Sequence, residues 1–520
     1  MKNILIVLSV AGAIALPAFA KLELATPFAD GMVLQRGREV PVWGKAEPGK
    51  KITVEFAGNS VSTVACAKGC WKVMLPAMAA SKESRVLKVT EIESGFFWDD
   101  ALDAVEVSDV LVGEAWMCSG QSNTDCPVWG GSSRYRDGWG AMMLTSTVKP
   151  FVRLVKTPLV ASVEPRYNYK AKWMKMTPEM YDAYCKGTRM PSAMGYYFAL
   201  ELANALDVPV GLVDSSWGGT NIDAWTPRSG YEGMDSLKDV AALPLLDSNA
   251  FDKEKKDGVY KNVGVCGSWI QQPTALWNGM VAAYAPMACR GFIWYQGCHN
   301  AGEYQRYCDK MHALYNGWSK EFENPELKLY FVQLAPWGYG GIANIQIAQA
   351  KFDAEEPNAG MAVINDVGNL TDIHPNDKRT VAKRLSLHAL KRDYGFETVR
   401  DNSPTLKSWK IDGDKFVLSF DDADGWYIYN YQQGSPEVGF EIAGADGVFK
   451  PAKLVNVKMT PHYKTKKPEF KGEVAGKDLV VSAEGVKEPK KLRYLFSRPW
   501  FGALYNSHCL PLGAFEVGVK

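Results

Sequence analysis

The sequence has almost no net charge with which to attract a strongly charged partner. Among its 520 residues, 59 lysines and arginines face 58 aspartates and glutamates, which gives a formal net charge of +1. Nucleic acids and anionic membrane surfaces are bound mainly through an excess of positive charge. The composition therefore predicts no nucleic-acid partner and favours a neutral substrate.

Long apolar runs are absent beyond the N-terminus, and the run found there has the features of a signal peptide. Lys2 gives a basic start, residues 4–16 are mostly apolar, and Ala18-Phe19-Ala20 fits the small-x-small cleavage rule. An apolar stretch this short favours a signal peptide over the alternative, a membrane anchor. We predict that residues 1–20 are removed and that the mature chain is periplasmic or extracellular, with no membrane span.

Sequence patterns typical of metal sites are also absent. The chain has only six histidines and no Cys-x-x-Cys pair, so we predict neither a metal site nor a cofactor. Ten cysteines in an exported chain favour some disulfides. The spacing allows two local pairs, Cys66 with Cys70 and Cys118 with Cys126.

The chain has no internal repeat, and its patterning changes twice. In residues 21–105, short runs alternate between apolar and polar positions, which predicts an N-terminal β-sandwich. In residues 106–398, apolar strand runs alternate with helical periodicities, which predicts an α/β domain, a mostly parallel sheet with helices on both faces. Short alternating runs return in residues 399–520 and predict a C-terminal β domain.

Four short polar segments lie at the ends of predicted strands in the central region, or one loop beyond. Ligands of such sheets bind beyond the carboxyl ends of the strands, so these segments define a candidate site. The predicted strands cover residues 110–112, 210–213, 291–294, 329–332 and 361–364. The polar segments are Gly120-Gln121-Ser122-Asn123, Gly218-Gly219-Thr220, Trp294-Tyr295-Gln296-Gly297 and Asp372-Ile373-His374-Pro375.

Ser122 is the candidate nucleophile, because it follows a buried strand and a glycine that permits a tight turn. The Gly-x-Ser-x-Gly pattern of the α/β-hydrolase elbow is not present around it, so that fold is not predicted. His374 is the candidate general base. Asp372, two residues earlier, is the favoured carboxylate partner because it is near, and Asp366 at the end of its strand is the alternative.

Other residues of these segments are candidates for stabilising an oxyanion or contacting the substrate. Gly219 brings a backbone N–H close to a substrate, and Gln296 offers a side-chain amide from a strand end. Asn123 and Thr220 are expected to shape the substrate-binding loops, and His299 to line the pocket. A serine, a histidine, a carboxylate and oxyanion donors are the parts of serine-based acyl transfer, which predicts a hydrolase.

Taken together, the segments resemble the sialate O-acetylesterase family of SGNH-type hydrolases. The resemblance rests on the Gly-Gln-Ser-Asn, Trp-Tyr-Gln-Gly and Asp-Ile-His-Pro blocks and on residues 217–225, Trp-Gly-Gly-Thr-Asn-Ile-Asp-Ala-Trp. It extends across the mature chain, since residues 30–36, 40–44 and 504–506 are also family-like.

The resemblance implies a flavodoxin-like catalytic domain with attached β domains, and removal of O-acetyl groups from sugars through an acetyl-serine intermediate without a metal. By position it assigns Ser122 as nucleophile, His374 as base and Asp372 as its partner. It also places the Ser122 N–H with Gly219 and Gln296 in the oxyanion hole. O-acetylated sialic acids are the namesake substrate, and acetylated plant polysaccharides such as xylan are the alternative. A noncatalytic sugar-binding protein on an esterase-like fold is the alternative from another class.

The sequence departs from the family pattern at two cysteines. Many relatives have Gly-Glu-Ser-Asn where this chain has Gly297-Cys298-His299-Asn300, and a glycine where it has Cys509. The missing glutamate removes a charge near the pocket, which bears on substrate preference and leaves the expected triad intact. Because the two cysteines replace family residues together, a bond between them across the pocket rim is a further hypothesis.

Overall fold

The computed structural model describes most of the chain beyond the N-terminus. The described residues are 21–94, 99–128, 151–169, 171–177, 180, 183, 186–258, 260, 267–337, 341–368, 372–430, 438–461, 470–496, 502 and 504–519. The predicted signal peptide, residues 1–20, lies outside them. No helix in the described part of the chain combines the length and the apolar character that crossing a membrane requires.

The strands fall into three groups along the chain. The first group is β1 (Glu23–Leu24), β2 (Val33–Gln35), β3 (Val40–Lys45), β4 (Lys51–Phe56), β5 (Asn59–Val64), β6 (Cys70–Leu75) and β7 (Ser81–Ser94). The second group is β8 (Asp99–Gly120), β9 (Val152–Lys156), β10 (Trp173–Lys175), β11 (Val210–Ser216), β12 (Gly291–Tyr295), β13 (Lys328–Val332) and β14 (Ala359–Ala362). The third group is β15 (Thr405–Asp412), β16 (Lys415–Asp421), β17 (Trp426–Asn430), β18 (Phe440–Ala443), β19 (Phe449–Leu454), β20 (Val457–Pro461), β21 (Phe470–Val474), β22 (Leu479–Ala483), β23 (Lys491–Tyr494), β24 (Leu504–Asn506) and β25 (Phe515–Gly518).

The helices lie between the strands of the second group or directly after them. The α-helices are α1 (Ser122–Asp125), α2 (Ala193–Leu206), α3 (Lys238–Ala241), α4 (Ser248–Asp257), α5 (Tyr304–Glu321), α6 (Ile342–Glu355) and α7 (Lys378–Arg392). Short 3-10 helices cover Asp223–Trp225, Arg228–Tyr231, Asp235–Leu237, Trp269–Gln271, Ala282–Tyr284 and Cys298–Glu303, and a π-helical turn covers Trp277–Val281.

The second group of strands forms a central sheet with the order β10-β9-β11-β8-β12-β13-β14. The pairs from β9 to β14 are all parallel, and only the edge strand β10 runs antiparallel to its neighbour. Every residue of β11 and β12 is buried, as expected for parallel strands covered by helices. Helices α2 and α7 pack against each other, as do α5 and α6.

The strand β8 is unusually long, and it links the central sheet to the N-terminal strands. Its first half pairs with β7, and its second half pairs with β11 and β12. The domain boundary predicted at residue 105 therefore falls inside a single strand. Buried apolar side chains of both regions form one continuous core, which explains why no flexible linker is needed between them.

The C-terminal strands form two antiparallel sheets with a separate core. One sheet has the order β15-β16-β22-β19-β18-β23-β25, and the other has the order β20-β21-β17-β24. Alternate side chains of these strands point inward, and Phe416, Leu492 and Tyr494 are among those fully buried. This arrangement confirms that β sheets follow the helical region.

Candidate active site

The ends of three strands bring three of the predicted polar segments side by side. Gly120 at the end of β8 is in register with Ser216 of β11 on one side and with Tyr295 of β12 on the other. Gly120 has a φ of +140°, and a Cβ atom there would lie 2.4 Å from the Tyr295 carbonyl oxygen. Only glycine fits this close approach, so the chain can leave the sheet in a tight turn toward Ser122.

Ser122 begins the one-turn helix α1 immediately after this turn. The Gln121 N–H donates to the Tyr295 carbonyl at 3.1 Å, and the Cys126 N–H donates to the Ser122 carbonyl at 2.9 Å. A Cβ atom on Gly218, which follows β11, would lie 3.3 Å from Ser122 Cβ. Hydrogen bonds on both sides therefore hold Ser122 where the segments after β11 and β12 meet.

His374 and Asp372 complete a hydrogen-bonded series with Ser122. His374 Nε2 lies 2.9 Å from Ser122 Oγ, and His374 Nδ1 lies 3.1 Å from Asp372 Oδ1. Asp372 Oδ1 also accepts from the His374 backbone N–H at 3.0 Å. Because a carboxylate only accepts, we place the ring proton on Nδ1, which leaves Nε2 to accept the serine hydroxyl. The hydrogen-bonded order is that of a serine–histidine–aspartate triad.

Asp366, the alternative carboxylate, is engaged elsewhere. Arg384 of α7 donates to its two carboxylate oxygens at 2.6 and 2.7 Å. A bidentate pair of this kind fixes the orientation of the carboxylate as well as its charge. The geometry therefore favours Asp372 as the partner of His374.

Gly219 lies in a turn beside Ser122 and faces open space. Its φ is +74°, and no heavy atom of the described chain lies within 4 Å of the place a Cβ would take. Gln271 holds this turn, because its Nε2 donates to the Gly219 carbonyl at 2.7 Å and its Oε1 accepts from the Gly267 N–H at 2.6 Å. Sequence reasoning missed Gln271, since it lies outside the four polar segments.

Gln296 is fully buried, and its amide is used within the protein. Its Nε2 donates to Asn300 Oδ1 at 2.7 Å and to the Thr220 carbonyl at 3.1 Å, and its Oε1 accepts from the Tyr307 hydroxyl at 2.8 Å. Both amide hydrogens are therefore engaged, and none is left for an oxyanion. This geometry speaks against the oxyanion role predicted for Gln296 and gives it the role of a link between β12, α5 and the turn after β11.

Thr220 and Asn123, the predicted loop residues, are buried and have protein partners. Thr220 Oγ1 donates to the Trp217 carbonyl at 2.8 Å and accepts from Trp225 Nε1 at 3.0 Å. Asn123 is 1% exposed and bonds to Lys378 and to the loop that carries His374. Both residues are placed to shape the loops rather than to contact a substrate directly.

His299 is the predicted pocket residue that stays partly accessible. Its Nε2 lies 2.6 Å from Gln271 Nε2, which connects it to the Gly219 turn. Burial lowers the pKa of His299, so the ring is neutral near pH 7. A neutral ring beside this turn suits hydrogen bonding to a sugar, and its contact with substrate stays a prediction.

The cysteines of the described residues do not form the predicted pairs. Seven of the described cysteines are free thiols: Cys66, Cys70, Cys118, Cys289, Cys298, Cys308 and Cys509. The two local pairs and the hypothetical bond across the pocket rim are therefore not formed. Cys298 is partly buried, and burial raises the pKa of its thiol to about 12, whereas Cys509 is exposed.

One cluster away from these segments has side chains that metals bind. The ligand atoms of Cys308 and His312 in α5 and of Glu355 in α6 all lie within 4.8 Å of one another. Lys351 Nζ lies among them, 3.4 Å from Cys308 Sγ and 3.0 Å from Glu355 Oε1. Because the ammonium already balances the carboxylate, we interpret the cluster as an ion-pair network between two helices.

Comparisons with known proteins show which proteins this chain is similar to. No family model matches the chain. It is 28% identical over 423 residues to the sialate O-acetylesterase of Rattus norvegicus, covering 73% of this chain and 75% of the relative. It is 29% identical over 420 residues to the sialate O-acetylesterase of Homo sapiens, covering 75% of this chain and 74% of the relative. A crystal structure of a carbohydrate acetylesterase from Xanthomonas citri matches with a TM-score of 0.75 and 31% identity, over 96% of this chain and 100% of that one.

Proposed function

The chain belongs to the sialate O-acetylesterase family and is a carboxylic ester hydrolase, and we propose that it removes O-acetyl groups from carbohydrates by serine-based acyl transfer. The observation that carries this proposal is the series Ser122–His374–Asp372, with separations of 2.9 and 3.1 Å. The rival from another class, a noncatalytic sugar-binding protein, gives no reason for a serine, a histidine and a carboxylate to converge in this way.

The proposed reaction has two steps that share one histidine. Ser122 Oγ attacks the acetyl carbonyl while His374 Nε2 takes the hydroxyl proton, and the imidazolium is stabilised by Asp372. His374 then gives this proton to the sugar oxygen that leaves, and an acetyl group remains on Ser122. In the second step His374 takes a proton from water as the water oxygen attacks the acetyl-serine. His374 then returns this proton to Ser122 Oγ as the bond to the acetyl carbon breaks, which releases acetate and restores the serine hydroxyl.

Two backbone N–H groups are the proposed oxyanion donors. These are the N–H groups of Ser122 and Gly219. Neither N–H donates a loop or turn hydrogen bond to a backbone carbonyl of the described residues. The open space at Gly219 allows a carbonyl oxygen to come close to the backbone. The Gln296 side chain is left out of this group because its donors are already engaged.

The order of the central strands supports a flavodoxin-like, SGNH-type catalytic domain. Apart from the edge pair β9 and β10, the order is β11-β8-β12-β13-β14, so the first strand lies between the second and third. This order is typical of flavodoxin-like sheets, in which ligands bind at the switch point beside the first strand. We propose a catalytic domain over residues 106–398, with β domains at 21–105 and 399–520 and residues 1–20 as a signal peptide for export.

The substrate we propose is an O-acetylated carbohydrate, most directly an O-acetylated sialic acid. The rat and human relatives are named for sialate, and the Xanthomonas citri protein is a carbohydrate acetylesterase. Acetylated plant polysaccharides such as xylan are the second candidate, since the loss of the family glutamate at Cys298 bears on substrate preference without selecting either sugar. No metal or cofactor has a part in the proposed chemistry.

Acetate release from a matched panel of O-acetylated sialosides and acetylated xylo-oligosaccharides tests the proposal. We expect the wild-type chain to release acetate from at least one group, and Ser122→Ala to lose nearly all turnover while keeping its thermal unfolding profile. Absence of acetate release from every member, or full activity in Ser122→Ala, would contradict the proposed function. A rate that rises with acyl chain length on simple esters would instead favour a lipase or thioesterase.

A further inference from the structure

We propose that Lys378 and Asn123 form a positioning clamp that holds the Ser122 turn against the His374 loop; this inference rests on the function proposed above. The two segments are 252 residues apart in sequence, yet their reacting atoms lie 2.9 Å apart. Neither Lys378 nor Asn123 is proposed to touch the substrate. Their role is to keep the distance between Ser122 Oγ and His374 Nε2 constant.

The clamp consists of three hydrogen bonds through two side chains. Asn123 Nδ2 donates to the Ile373 carbonyl at 3.1 Å, and Asn123 Oδ1 accepts from Lys378 Nζ at 2.8 Å. Lys378 Nζ also donates to the Pro375 carbonyl at 2.5 Å. Asn123 follows Ser122 directly, and Ile373 and Pro375 flank His374 on either side. The residues next to the nucleophile are thereby tied to the residues on both sides of the base.

The burial of Lys378 indicates that its ammonium has a specific task. The residue is 2% exposed, and the hydrogen-bonding partners that it has among the described residues, Asn123 and Pro375, offer neutral oxygens. Burying an ammonium without a directly bonded carboxylate costs stability, and such groups are usually exposed instead. Lys378 also lies in the first turn of α7, where the helix dipole disfavours positive charge. Both costs are explained if the lysine is needed to fix the two loops.

The ammonium also places a positive charge beside the proposed base. The ionisable groups that act on Lys378 are the carboxylates of Asp372 and Asp377 and the thiols of Cys126 and Cys298. Burial lowers the pKa of Lys378, and these groups oppose that shift. Replacing Lys378 with a neutral side chain removes this charge together with both hydrogen bonds that it donates.

The test compares Lys378→Met with Lys383→Met. Lys383 is on the same helix and is exposed, so the second variant controls for loss of one lysine from α7. We expect Lys378→Met to lower kcat on a chromogenic acetyl ester about 10- to 100-fold with little change in KM, since misplaced reacting groups cost rates of this size. Lys383→Met should match the wild type in both kcat and KM.

A second variant keeps the proposal testable if Lys378→Met does not fold. Asn123→Asp keeps an oxygen for Lys378 and replaces the N–H that bonds to the Ile373 carbonyl, so it opens half of the clamp. We expect about a tenfold loss in kcat with KM unchanged. Wild-type kcat in Asn123→Asp, or wild-type kcat in a folded Lys378→Met, would overturn the clamp.

A sugar-independent measurement separates failure of the clamp from failure of the proposed function. A fluorophosphonate probe modifies an activated serine without any carbohydrate substrate. We expect rapid labelling of Ser122 in the wild type. In Lys378→Met the labelling rate should fall by about the same factor as kcat. Equal labelling rates would reject the clamp alone. A wild-type chain that is neither labelled nor able to release acetate would reject the proposed function, and the clamp with it.

Discussion

Replacing Asp372 with asparagine separates the charge of the carboxylate from its geometry. Asp372 Oδ1 accepts from the His374 backbone N–H at 3.0 Å and from His374 Nδ1 at 3.1 Å. An asparagine oxygen in the same place still accepts both hydrogen bonds, so the turn and the histidine tautomer are retained. The variant loses the attraction between the carboxylate and the imidazolium that forms as His374 takes the serine proton.

The size of this loss follows from the separation and exposure of the pair. Two opposite unit charges about 4 Å apart attract by about 4 kcal/mol at an effective dielectric constant of ~20. The Asp372 and His374 side chains are 18% and 25% exposed, so water screens part of this attraction. We expect Asp372→Asn to raise the barrier by about 2–3 kcal/mol, which lowers kcat/KM about 30- to 150-fold.

The assay is hydrolysis of a chromogenic acetyl ester at neutral pH, with Asp366→Asn as the matched control. Asp366 is paired with Arg384, so its replacement removes the same charge without touching His374. We expect the control to keep kcat/KM within about threefold per folded molecule, because it makes no contact in the transition state. Wild-type activity in Asp372→Asn, or a larger loss in Asp366→Asn, would refute the assignment of the carboxylate.

Three further predictions test the fold around the site and beyond it. Gly120→Ala should lose about 1–3 kcal/mol of unfolding free energy in denaturant titration, together with activity, because the new Cβ meets the Tyr295 carbonyl at 2.4 Å. Asp401→Asn should lose about 2 kcal/mol of unfolding free energy near pH 7. Burial raises the pKa of Asp401, but the hydrogen bond from His388 and nearby positive charge outweigh burial and lower this pKa from 3.8 to about 2. Its folded pKa lies below the unfolded value, so this stabilisation is present above about pH 4 and fades toward pH 2; equal wild-type and variant stability at pH 7 would contradict it. Cys66 is exposed and its pKa is lowered by the Lys68 N–H, so iodoacetamide mapping of the native protein should find it modified first; a Cys66–Cys70 disulfide would contradict the free thiols.

The strands that carry the site were predictable because each contains a run of at least four consecutive nonpolar residues, Val210–Val213 in β11 and Gly291–Tyr295 in β12. β11 and β12 are buried throughout, and a buried parallel strand reads as a continuous apolar run. The last predicted strand, residues 361–364, is observed two residues earlier as β14. The length of β8 was not predictable, because its first half is exposed to solvent at alternate positions and reads as a separate strand.

Sequence position predicted which residues meet at the site better than it predicted what each side chain does. Ser122, His374 and Asp372 come together because they follow strand ends or a short loop beyond, which the pattern reveals. The engagement of Gln296 depends on hydrogen bonds to Asn300, a neighbour in sequence, and Thr220, a distant one, which no local pattern shows. Lysines are rarely buried, so nothing in the sequence pattern marks Lys378 as part of the site.

Trapping the acyl-enzyme tests the central claim most directly. The wild-type chain is mixed with an acetyl ester, quenched in acid within the first turnover and digested, and its peptides are analysed by mass spectrometry. We predict an acetyl group on the peptide that contains Ser122, and more of it in Asp372→Asn if loss of the carboxylate slows deacylation more than acylation. Acetate release by the wild type with acetylation at another residue, or with undiminished rate in Ser122→Ala, would contradict the account.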